Sequence, residues 1–107
     1  MAQIFEISVL LNQLKQGHRS YHEFLRIPAM SVGLYVLPAG AADKQQPHRE
    51  DEIYYVVRGK AKMSLGAEER SVQAGSVIFV EPGLEHRFVD IEQELVLLVV
   101  FAPAETN

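Results

Sequence analysis

The sequence contains no cysteine. That excludes a disulfide framework and any metal site built on thiolates, so a metal in this chain would be held by nitrogen and oxygen. Positive charge is also scarce, with 10 lysines and arginines against 14 aspartates and glutamates and a formal net charge of −4. A nucleic-acid partner draws on dense basic patches to neutralise phosphate, and this balance argues against one. Long hydrophobic runs are missing as well. The longest, residues 95–101, falls far below the roughly 20 residues a helix needs to span a bilayer. The N-terminus carries no positive segment and meets Glu6 at once, unlike a secretory signal. The expectation is a cytoplasmic protein with neither a nucleic-acid nor a membrane partner. No repeat, linker or low-complexity stretch divides the 107 residues, and a chain of that length can bury one core without staples.

The first patterned segment is helical. Ile7, Leu10, Leu11 and Leu14 fall at i, i+3, i+4 and i+7 and form one apolar stripe. Gly17 stands where a C′ glycine would end the helix. Ser8 is the candidate N-cap, without the acid three residues later that would complete a capping box. From Tyr21 the pattern changes to short strands, expected over 21–27, 30–37, 52–58, 60–65, 69–73, 76–80, 86–89 and 94–101. Glycines and prolines separate them. Many short strands with no helix between them make an all-β sandwich or barrel. The expected organisation is a helical segment over 1–20 and a β-barrel over 21–107.

Alternation shows which faces are buried. Ala61, Met63 and Leu65 alternate with Lys60, Lys62 and Ser64, so that strand has one wet side. The last strand has none. Leu95, Leu97, Val99 and Phe101 lie on one face, and Val96, Leu98 and Val100 on the other. Leaving the second face in water would forgo about 1.5–3 kcal/mol per side chain. Over three residues that rivals the roughly 5–15 kcal/mol that holds a domain folded. The N-terminal helix or a second subunit must cover it, and a homodimer packed through this region is the expectation.

The residues that carry chemistry cluster in two places. Gln46, His48, Glu52, Tyr54 and Val56 share parity, so an extended segment would point them to one side. His86 opens a later strand. Two histidines and a carboxylate form a facial triad that leaves positions open on an octahedral ion. The Gln46 amide oxygen is the candidate fourth ligand. Tyr54 is the candidate catalytic residue, as a hydrogen-bond donor to a bound substrate oxygen, and otherwise a barrel-filling aromatic. Phe88 is expected on the pocket wall with Arg87 outward, and Tyr35 and Met30 at its mouth or in the core. Glu50 and Asp51 read as solvated loop, and His18 and His22 as surface or interface residues. Arg58, on the inward parity, either meets an anionic group or makes a surface ion pair.

Gly40, Gln46, His48, Glu52 and Gly59 follow the spacing G-x5-Q-x-H-x3-E-x6-G. Gly75, Glu81, Gly83, His86 and Asp90 follow G-x5-E-x-G-x2-H-x3-D. These two clusters resemble the two motifs of a single-domain cupin, with Gln46 in place of the first histidine, Glu81 in place of proline and Asp90 in place of asparagine. The resemblance implies a double-stranded β-helix, or jelly-roll barrel, here with a short N-terminal helix. It implies one divalent transition metal on Gln46, His48, Glu52 and His86, iron or manganese before zinc or nickel, and a small-molecule ligand in the barrel. A divalent ion with one glutamate leaves a net positive centre, which favours an anionic or chelating oxygen ligand. The activities implied are those of a metal-dependent dioxygenase, or of an isomerase or decarboxylase. The alternative is a non-catalytic binding or sensory module.

Overall fold

Alternation in the sequence becomes six antiparallel strands. The computed structural model describes residues 2–106. Helix α1 (Ile7–Gln16) precedes β1 (Tyr21–Ile27), β2 (Met30–Leu37), β3 (Asp51–Leu65), β4 (Glu68–Gln73), β5 (Val77–Val80) and β6 (His86–Ala102). The strand order is β1-β2-β6-β3-β4, with β5 also paired to β3. The sheet wraps around one core as a double-stranded β-helix.

The eight expected strands become six because two pairs fuse. The segments expected over 52–58 and 60–65 are both part of β3, and those over 86–89 and 94–101 are both part of β6. Gly59 does not turn the chain back. It sits where the register against β6 shifts between Val56 and Lys62, and its φ of 108° belongs to glycine. A Cβ there would lie 2.2 Å from the carbonyl oxygen of Glu94. The irregularity also switches parity: Glu52, Tyr54 and Val56 are buried before it, Ala61 and Met63 after it. On β6 the residue with positive φ is Asp90, and burial passes from His86 and Phe88 to Ile91. Extra residues in a ladder bend and twist a strand, and that lets two long strands curl around a single core.

The left-handed residue that follows helix α1 is His18 rather than Gly17. Gly17 stays right-handed, with φ of −80°, while His18 takes φ of 52°. The Arg19 N–H donates to Leu14 O at 3.2 Å and the His18 N–H to Lys15 O at 3.1 Å, which is the Schellman arrangement. Glu6 is the N-cap and makes no side-chain cap, and Ser8 lies inside the helix.

Two apolar clusters hold the fold. Leu95, Leu97, Val99 and Phe101 point into the barrel with Tyr54, Val56, Met63 and Phe88. On the outer face α1 buries Leu10 and Leu14 against Leu34, Val36 and Val96. The helix therefore covers Val96. Leu98 and Val100 are half-buried, and beside them Ile53, Tyr55, Val77 and Phe79 are 40–66% exposed. Among the described residues no helix is long and apolar enough to cross a membrane.

Candidate metal centre

Three elements deliver the site. His48 stands on the irregular segment between β2 and β3, and its carbonyl accepts the Gly83 N–H at 2.8 Å. That bond ties the first cluster to the Pro82-Gly83 turn. Glu52 is the second residue of β3, opposite Val80 at the end of β5. The turn over 81–85 then delivers His86 as the first residue of β6. One ligand atom from each of His48, Glu52 and His86 falls within 4.8 Å of the others.

The surroundings are dry. Glu52 is 1% exposed and His86 4%, and the His48 ring packs edge-on against Phe101 at a centroid distance of 4.8 Å. Both Glu52 oxygens, Nε2 of His48 and Nε2 of His86 are buried without a hydrogen-bond partner. His86 Nε2 does approach Glu52 Oε1 to 3.0 Å, but without hydrogen-bond alignment. The His86 Nδ1 lies 2.8 Å from the Leu84 carbonyl. A carbonyl only accepts, so Nδ1 carries the proton in the neutral ring and Nε2 presents its lone pair. Burial works against charge on His86, but the Glu52 carboxylate and the Leu84 carbonyl outweigh it and raise its pKa.

A buried carboxylate without partners is strongly disfavoured. Protonating His86 would neutralise one oxygen and leave the other, with His48 Nε2, unmatched. One divalent cation would satisfy all four atoms, and two imidazoles with a carboxylate suit such an ion. The residues present therefore fit a metal. A family model described as "Cupin domain" matches residues 33–101.

This chain is a cupin.

An uncharacterised protein of Streptomyces coelicolor is 48% identical to this cupin over 102 residues, 95% of this chain and 97% of its own length. The crystal structure of TT1209 from Thermus thermophilus superposes with a TM-score of 0.78 at 25% identity, covering 96% of this cupin and 99% of that chain. KdgF from a Halomonas species gives 0.71 at 23% identity, covering 78% of each chain. The DMSP lyase DddQ from Ruegeria pomeroyi gives 0.66 at 22% identity, covering 71% of this cupin and 39% of that chain. At such identity the last two likenesses show the fold.

Gln46 stands apart from the cluster. Its side chain is exposed, and the amide facing the barrel belongs to Gln45. The Gln45 Nε2 donates to Asp43 Oδ2 at 2.9 Å, which leaves Oε1 to accept from the Tyr54 hydroxyl at 2.8 Å. Asp43 is 5% exposed and also accepts from the Tyr35 hydroxyl at 3.0 Å and the Phe88 N–H at 2.9 Å. Tyr54 lies beside the ligand cluster as its parity implies, but it is fully buried and its hydroxyl is committed to Gln45. Burial, with the Glu52 carboxylate, holds its pKa well above the usual phenol value.

A cavity of about 180 Å³ adjoins His48, walled by Tyr21, Tyr35, Gln45, Phe101 and Glu105. Tyr35 lines the cavity, and Met30 is exposed. Phe88 packs edge-on against Tyr54 at 5.1 Å, and the phenylalanine on this cavity wall is Phe101. Arg87 points outward, and Arg58 makes a surface ion pair with Glu94 at 3.6 Å. His18 is exposed and His22 half-buried, and neither belongs to the ligand cluster. Glu50 corrects the expectation of solvated loop: it is 4% exposed and accepts from the Thr106 hydroxyl at 2.8 Å, while Asp51 is exposed.

The sequence reading missed Tyr21, Asp43, Gln45 and Glu105. Asp43 and Gln45 sit where no strand makes parity meaningful. Tyr21 reaches the cavity over Gly33, where a Cβ would lie 2.2 Å from its hydroxyl. A bare glycine inside an apolar strand was the available signal. Nothing in the sequence marks Glu105.

Proposed function

We propose that this cupin holds one divalent transition metal on His48, Glu52 and His86 and uses it to bind and transform a small oxygenated molecule in the adjoining cavity. The observation that carries this reading is the set of four buried, unpartnered donor atoms on three residues. Nitrogen and oxygen ligands without sulfur suit iron, manganese, zinc or nickel, and two histidines with one carboxylate are the set of non-haem iron sites. When bound, such a metal polarises a ligand oxygen and offers open positions beside the cavity. The chain's own residues would do the rest. Phe101 and Val99 form a dry wall. The Tyr21 hydroxyl, buried with no partner, is a free donor for a ligand oxygen.

The charge balance narrows the ligand. Glu52 and Glu105 together offset a dication, so the centre is nearly neutral rather than positive. That favours a neutral chelating ligand, such as a hydroxy-keto compound, over a simple carboxylate. Dioxygenase, isomerase and decarboxylase chemistries all suit an open metal position beside such a ligand.

The test is elemental analysis of purified protein after loading with manganese. Close to one metal per chain is expected, falling to near zero in His86→Ala. Protein that takes up no metal even after reconstitution would refute the reading. A second reading, a binding or sensory module without turnover, draws support from Tyr54, whose hydroxyl is already bonded to Gln45. A small ligand that binds tightly and is recovered unchanged would favour it. We also propose a homodimer, supported by the exposed apolar face of β3 and β5.

A further inference from the structure

The chain does not leave the barrel after β6. Residues 103–106 fold back across its mouth. The Ala104 N–H donates to Pro28 O at 3.3 Å, and the Glu105 N–H to Ser31 Oγ at 2.9 Å. Arg26 donates to the Glu105 carbonyl at 2.6 Å, and the Thr106 hydroxyl to Glu50 Oε2 at 2.8 Å. These ties hold the backbone at Ala104 and Glu105 and the side chain at Thr106, and none uses the Glu105 carboxylate. That carboxylate faces the cavity, with Oε2 3.3 Å from Nδ1 of His48. The two side chains are 23% and 17% exposed. The segment lies beyond residues 33–101, which the family model matches.

The chemistry of this contact is directional. A carboxylate only accepts, so the contact is attractive when Nδ1 carries the ring proton. A neutral imidazole has one N–H, which leaves Nε2 with its lone pair bare. Nε2 is the nitrogen of His48 that is buried without a partner. His86 shows the same arrangement, with Nδ1 on the Leu84 carbonyl and Nε2 unpartnered. The Leu84 carbonyl is the acceptor at His86 Nδ1, and the Glu105 carboxylate is the acceptor nearest His48 Nδ1. Partners of this kind fix the ring orientation of metal-binding histidines and raise their basicity.

We propose that Glu105 is a positioning residue of the metal centre: it accepts from His48 Nδ1–H and holds the ring with Nε2 toward Glu52 and His86. The C-terminal segment is then a working part of the site, placed by its own anchors so that one side chain reaches His48. This role rests on the metal reading above and adds to it a residue from outside the matched region. At 3.3 Å the contact is a close approach without hydrogen-bond alignment, and the role requires the His48 ring to rotate so that Nδ1–H points at Oε2.

Two measurements test it. NMR of the histidine ring nitrogens in metal-free protein, above the ordinary histidine pKa, reports each tautomer. Calorimetry reports manganese affinity for the wild type, Glu105→Ala and Glu105→Gln. The wild type is expected to show His48 as the Nδ1–H tautomer. Glu105→Ala should give a mixture and bind manganese about 10–100-fold more weakly, the usual cost of losing such a partner. Glu105→Gln keeps an acceptor oxygen and should recover most of the loss. An Nε2–H tautomer for His48 in the wild type would overturn the role, as would manganese affinity unchanged by Glu105→Ala. Should Glu105→Ala fail to fold, the wild-type tautomer decides alone. Wild-type protein that takes up no manganese would sink the metal reading and this role with it. Manganese binding indifferent to Glu105 would sink this role only.

Discussion

At the scale of single residues, the exchange of Gln46 for Gln45 carries the most information. Parity counting places Gln46 inside only if residues 46 to 52 are extended. The segment before Asp51 is not a strand, and there a one-residue shift decides which amide faces the barrel. The inner amide is fixed at both ends, donating to Asp43 and accepting from Tyr54. Gln46→Ala should therefore leave manganese affinity unchanged. Gln45→Ala strands the buried Tyr54 hydroxyl and removes a donor from Asp43, at about 1–3 kcal/mol for a buried group left unsatisfied. Urea unfolding of the two variants separates them, and equal losses would refute the assignment. All three residues of the ligand cluster are legible in the sequence: Glu52 and His86 stand at the start of regular strands, and His48 joins them from the irregular segment before β3. Of the site residues that are not legible, Asp43, Gln45 and Glu105 lie on segments outside the strands, held by tertiary hydrogen bonds that leave no periodic mark, while Tyr21 opens β1.

At the scale of elements, β1 and β2 match their expected bounds, while the sequence pattern cuts β3 and β6 each in two. The reason is physical. A glycine that turns the chain and a glycine that bulges a strand look alike in sequence, because both need a backbone other residues resist. What distinguishes them is the partner strand. At Gly59 that partner is β6, whose Glu94 carbonyl occupies the space a side chain would need. Gly59→Ala must adopt φ near 108° and also push β6 away. The backbone strain alone is about 1–3 kcal/mol, and the displaced ladder adds to it. A fall in the denaturation midpoint of at least that size is expected. Because β3 carries Glu52 at one end and the bulge lies within the same strand, the variant should also weaken manganese binding. An alanine at this position with wild-type stability would show that the bulge is not required.

At the scale of the whole molecule, the outer apolar face remains to be accounted for. Residues 96, 98 and 100 need a cover, and α1 supplies it for Val96 alone. The ladder extends the rest into a patch. Ile53 sits opposite both Val100 and Phe79, and Tyr55 opposite both Leu98 and Val77. These rows run across three strands, and Val77 and Phe79 are 66% and 60% exposed. Contiguous apolar surface of this kind marks an interaction site more often than an accident. The proposed occupant is a second copy of the chain, since a two-fold axis packs one such face on itself. Light scattering should give twice the chain mass at micromolar concentration. Replacing Val77 and Phe79 by glutamate places two charges on each side of that contact and should yield a monomer. Glu52 and His86 lie on β3 and β6 and are buried, so the monomer should still bind manganese. A wild-type protein that is monomeric under these conditions, or a double variant that stays dimeric, would remove this face as the interface.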